Sequence, residues 1–164
     1  MTGYFRIAGA LLILVAVLFA GREYSKFVSR RLDQLSGFYS LLEYVESSIS
    51  KYLSFGRGLW VGFSCEALEG CGFLGLLREG RNPYEAFLQI KSKLSLSSDQ
   101  CELLEEFFMG FGREYQDGEM KRVSEYRKKL GRILDDQAQS LTNNAKVLKA
   151  LLLGAGMSLV ILVI

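Results

Sequence analysis

The chain has 164 residues, enough for one domain with a substantial core, and its net charge of +2 is too small to draw in nucleic acid through a global field. It contains no histidine, which removes the commonest general base and the commonest metal ligand. Hydrophobic residues make up 49% and charged residues 23%, with the apolar excess at the two ends: residues 1–21 hold a single charge, Arg6, and residues 150–164 hold none. This layout predicts a polar body, 22–148, between two apolar segments, 1–21 and 149–164. Cys65, Cys71 and Cys101 form no CxxC pair and leave one over in any disulfide scheme, so they read as reduced thiols of a body in a reducing compartment.

Ile7–Ala20 is an unbroken apolar run of 14 residues. As a helix it spans about 21 Å, short of a hydrocarbon core of roughly 30 Å. Tyr4 and Phe5 extend it, and Arg6 can snorkel. Ile7, Leu11, Leu14 and Leu18 are therefore expected in lipid. The rival reading is a signal peptide, with Leu18-Phe19-Ala20 as a loose cleavage site. Arg22, Lys26, Arg30 and Arg31 follow at once and oppose export, which favours an uncleaved anchor. These cations place the N-terminus outside and the body in the cytoplasm.

From Gly21 no breaker interrupts the chain until Ser54. Val28, Leu32, Leu35, Phe38, Leu42, Val45, Ile49 and Tyr52 recur at steps of three and four, so the anchor is expected to continue as one rod with an apolar stripe. Glycine-rich 55–80 predicts short helices, one over 59–69 and a turn over 73–77. Gly70-Cys-Gly72 lacks the third glycine and the preceding strand of a dinucleotide loop. Asn82-Pro83 is a helix start, with Asn82 as N-cap, and the helix is expected to reach about Leu94. Ser97 or Ser98 caps the next helix, with Gln100 spaced for a capping box with Ser97, and its end is placed near Tyr115. A final helix from about Glu119 carries Met120, Val123, Tyr126, Leu130 and Ile133/Leu134, then Ala138, Leu141, Ala145 and Leu148. It runs into the terminal apolar segment, where Leu152, Gly156, Val160 and Ile164 are expected in lipid. Lys146 and Lys149 flank that segment on the body side, matching the first anchor. No stretch alternates with a period of two, so the fold expected is all-α: a helical bundle whose long first and last helices continue into two short transmembrane segments.

Residues 99–119 carry seven acids and one base, Arg113, while Lys121, Arg122, Arg127, Lys128, Lys129 and Arg132 follow. The plain reading is two antiparallel helices with complementary solvated faces. The functional one is a partner-docking surface built from Glu102, Glu105, Glu106, Arg122, Arg127 and Lys128. Without histidine, the three glutamates make a poor metal cluster, and the serines and cysteines have no usual base. No catalytic residue, metal or cofactor is therefore expected. Small residues in both apolar segments, such as Gly9 and Gly156, allow helix pairing in lipid, and a homo-oligomer is open.

The order of several patterns resembles the stage III sporulation protein AB family. The apolar helix runs into Gly21-Arg-Glu-Tyr and Leu41-Leu-Glu-Tyr. Gly80-Arg-Asn-Pro-Tyr-Glu-Ala-Phe87 lies mid-chain, Phe111-Gly112 precedes the charged helix, and the tail closes on Leu159-Val-Ile-Leu-Val-Ile164. The body is also similar to the platform domain of the type II secretion F component. Where the family is expected to continue Phe-Gly with Leu-Gly and an aspartate, this chain has Tyr115-Gln116 and Glu119. The resemblance implies a non-enzymatic platform on the mother-cell side of the membrane around the forespore. Its implied partners are a secretion-type ATPase and other proteins of the same operon, in a channel linking the two cells. The alternative is a small pore-forming or membrane-remodelling protein acting through its apolar ends.

Overall fold

Apolar side chains that recur every three to four positions share a face only on a helix. The computed structural model is helical throughout its described elements, with no strand among them. It describes the backbone of residues 2–52 and 58–163, and the side chains of 15, 19, 22, 23, 26–50 and 58–140. The elements are α1 (Thr2–Tyr52), α2 (Gly58–Val61), α3 (Glu66–Gly70), α4 (Phe73–Arg78), α5 (Pro83–Ile90), a 3₁₀ turn (Lys91–Lys93), α6 (Ser98–Gly110) and α7 (Gln116–Val163). The chain divides into two compact units, 1–28 with 136–164, and 29–135.

The core of the 29–135 unit is organised around Phe38 of α1. Its ring meets Phe73 of α4 at 5.4 Å, Phe87 of α5 at 6.0 Å and Phe108 of α6 at 6.2 Å between centroids. All four rings are buried, at separations where tilted aromatic pairs add to simple burial. Leu35, Leu41, Leu42, Val45 and Ile49 extend the α1 face, and Val123, Tyr126 and Leu130 of α7 close the cluster. Leu41 widens the stripe beyond the positions read from the sequence. Gly37 is needed here for space: a Cβ there would lie 3.0 Å from Cys65 Sγ and 3.1 Å from Leu68 Cγ.

Side-chain amides tie the 95–100 segment to α1. The Ser95 N–H donates to Gln34 Oε1 at 2.7 Å. Gln100 Oε1 accepts from the Ser97 N–H at 3.0 Å and from Arg31 Nε at 3.1 Å. The capping box of Ser97 and Gln100 is formed, and Asn82 caps α5 through the Tyr84 N–H at 2.9 Å, with Pro83 as the first helical residue.

Several boundaries differ from the expectation. The 59–69 helix is two helices, since residues 62–65 leave helical geometry between α2 and α3. α5 yields to the 3₁₀ turn after Ile90, and α6 stops at Gly110, where Gly112 takes a φ of +80°. α7 starts at Gln116, three residues before Glu119. Ile7, Leu11, Leu14 and Leu18 lie within the bounds of α1, and Leu152, Gly156 and Val160 within those of α7. Their side chains, and the whole of Ile164, lie outside the described residues. Among the described residues no helix is long and apolar enough to cross a membrane.

Candidate docking surface

α6 and α7 are antiparallel neighbours. The Phe107 and Tyr126 rings meet at 5.4 Å, and Arg122 lies across Gly110, near the C-terminal end of α6. The turn between them rests on one buried carboxylate. Glu119 is fully buried, and its Oε1 accepts from the N–H groups of Gly112 at 2.9 Å, Arg113 at 3.1 Å and Glu114 at 3.2 Å. The left-handed φ at Gly112 suits glycine, which carries no Cβ to clash. Glu119 Oε2 and Arg122 Nε are buried with no hydrogen-bond partner, while Arg122 Nη2 pairs with Glu114 Oε1 at 2.6 Å. That hydrogen bond to Glu114 pushes the Arg122 pKa up.

The six expected docking residues fall into two groups. Glu105, Arg122 and Arg127 are engaged within the molecule. Glu105 Oε2 meets Lys91 Nζ at 2.5 Å, which pushes the lysine pKa up. Arg127 Nε lies 2.7 Å from Glu46 Oε2 on α1 as a charge contact, with its N–H not aimed at the oxygen. Its Nη1 is 3.7 Å from Glu43, and its guanidinium carbon is 6.0 Å from the centre of the Tyr39 ring. Glu102, Glu106 and Lys128 remain exposed. Burial and then a hydrogen bond with Glu106 push the Tyr126 phenol up.

The two charged helices do not neutralise one another directly. Among the described residues no ion pair joins an acid of α6 to a base of α7. Arg127 turns to α1, and Arg122 to Glu114 of the 111–116 turn.

Glu119 is the residue that the charge count misplaces. It stands among the seven acids of 99–119 as one more surface charge. Its spacing to Val123, Tyr126 and Leu130, steps of four, three and four, puts it on the buried stripe. That spacing is the signal that could have found it.

A cleft of about 760 Å³ opens elsewhere on the same unit, with Arg30, Asp33, Ser40, Cys65, Glu66 and Lys93 among its lining. It offers cations and carboxylates in equal number. Among the described residues no group of three or more His, Cys, Asp or Glu side chains is placed to hold a metal ion.

The described residues thus define an all-helical bundle that presents charged helix faces. The family model of stage III sporulation protein AB matches residues 77–164, more than half of the chain, and the chain belongs to that family. The match takes in α5, α6 and α7 whole, together with the Gly80–Phe87 and Phe111-Gly112 stretches, and assigns the chain a role in sporulation. Comparison with curated proteins and with solved structures gives no match.

Proposed function

We propose that this chain is a non-enzymatic, membrane-anchored platform of a sporulation assembly. Its 29–135 unit stands in the cytoplasm and holds a secretion-type ATPase and other components in a channel between mother cell and forespore. The observation that carries this reading is the placement of the two apolar runs. One lies at the start of α1 and the other at the end of α7, each with cations on its body side. Each run is short for a bilayer, and snorkelling of Arg6 and Lys149 with local thinning makes up the difference.

Cysteines introduced before Gly3, within the 29–135 unit and after Ile164 test the topology in sealed cells. Labelling of the two ends from outside, and of the middle only after lysis, is expected. Labelling of all three from one side removes the anchor reading. Co-purification of the full chain from sporulating cells tests the platform. Recovery of an ATPase is expected, whereas function retained by a chain lacking residues 55–118 would instead favour a pore-forming role for the apolar ends.

A further inference from the structure

α6 and α7 each leave one charged face exposed, and the two faces carry opposite charge. On α6, Asp99, Glu102 and Glu106 are exposed at steps of three and four, with Met109 below them and no base between. On α7, Lys121, Lys128 and Arg132 occupy one exposed stripe, with Lys129 beside it and Glu125 as the acid that interrupts it. Among the described residues none of these acids or bases is in an ion pair, and Glu106 is hydrogen-bonded to Tyr126. Lys129 Nζ instead sits 4.7 Å from the centre of the Tyr126 ring.

We infer that these stripes dock a second copy of this chain, α6 of one copy against α7 of the other. The inference rests on the platform reading in taking the same surface as a docking element and both copies as anchored in one membrane. Because α6 and α7 are antiparallel neighbours, with position 107 level with 126 and position 110 with 122, their charges stand at matching heights. A two-fold axis parallel to the helices turns the second copy to face the first without shifting it along them. The acidic stripe of each copy then opposes the basic stripe of the other, twice, in an isologous interface. Both copies point the same way, as two proteins anchored in one membrane must. Met109 and the exposed end of the α6 face supply the apolar contact that charge pairs alone lack. Exposed pairs of this kind set register and partner choice, and salt weakens them.

Disulfide trapping between two differently tagged full-length copies in membranes tests the arrangement. One copy carries M109C, the other E125C. A mixed disulfide is expected between them, with a yield that falls as salt is raised. Adding D99K, E102K and E106K to the M109C copy is expected to lower the yield about tenfold. Adding K121E, K128E and R132E to its E125C partner is then expected to restore it. A yield that ignores charge reversal, or that the matched reversal fails to restore, overturns the inference. All reversed positions are exposed, so circular dichroism of the variants is expected to match the parent chain. ATPase co-purification by the α6-reversed chain separates the two readings: if it persists while the cross-link shows no charge dependence, the platform stands and the paired arrangement falls.

Discussion

At the scale of single residues, Glu119 matters most to the 111–116 turn. One oxygen accepts from three consecutive backbone N–H groups of the turn. Glu119→Ala leaves those donors and Arg122 facing a void, and a loss of about 3 kcal/mol is expected in denaturant unfolding of the detergent-solubilised chain. Glu119→Gln keeps an acceptor oxygen, so a smaller loss is expected. An alanine variant as stable as the parent would show that the turn does not depend on this carboxylate. The thiols divide by the same logic of burial. Desolvation pushes Cys71 and Cys101 up, whereas Cys65 is only half-buried. Alkylation at neutral pH should therefore modify Cys65 first, and mass spectrometry after a short pulse reads the order. Equal rates at all three would contradict the burial. The sequence carried the count of thiols and acids but not which of them the fold covers, because charge tallies ignore helical phase.

At the scale of elements, local chemistry was the most legible. The Asn82 cap, Pro83 at the first helical position and the Ser97–Gln100 box all form as their spacing predicts, because each needs only three or four neighbouring residues. Asn82→Ala is expected to cost about 1 kcal/mol. The apolar stripe of α1 was equally clear from Leu35 to Ile49. Helix ends were less so. The stretch 62–65 looked amphipathic enough to continue a helix, yet Phe63 is buried against Tyr44 at 5.3 Å, and its carbonyl accepts from Arg78 Nη2 at 2.8 Å. Those partners are distant in sequence, and no local pattern announces them. The pairing of α7 with α1 through Arg127 was hidden for the same reason. Phe108 is the element contact with most to lose, since it touches Phe38, Phe73, Phe87 and Phe107. Phe108→Ala is expected to cost about 4 kcal/mol, and an effect under about 1 kcal/mol would show that the ring cluster is not the core.

At the scale of the whole molecule, the raised groups define a pH dependence. Cys71, Cys101 and Tyr126 each hold their protons more tightly in the folded chain, all three because of burial first. Their contribution is complete below the ordinary thiol and phenol ranges and is lost as pH rises through the folded values. Unfolding midpoints measured from neutral to strongly alkaline pH should fall, and C71S/C101S should flatten the part of that fall due to the thiols. A parent curve that rises with alkalinity would refute the assignment. The arrangement of the core also constrains synthesis. The helices from α3 to α6 each pack on the next, so the middle of the chain can assemble as it leaves the ribosome. The α1 stripe cannot. Leu35, Phe38 and Ile49 are made first, but Val123, Tyr126 and Leu130 of the same core come 74 to 95 residues later. Until then Phe73, Phe87 and Phe108 can cover Phe38, but the part of the α1 stripe that packs on α7 stays open. The molecule is thus most exposed to proteases and chaperones before its last helix is translated, and a ribosome stalled ahead of Val123 would release a product with an incomplete core, prone to aggregate.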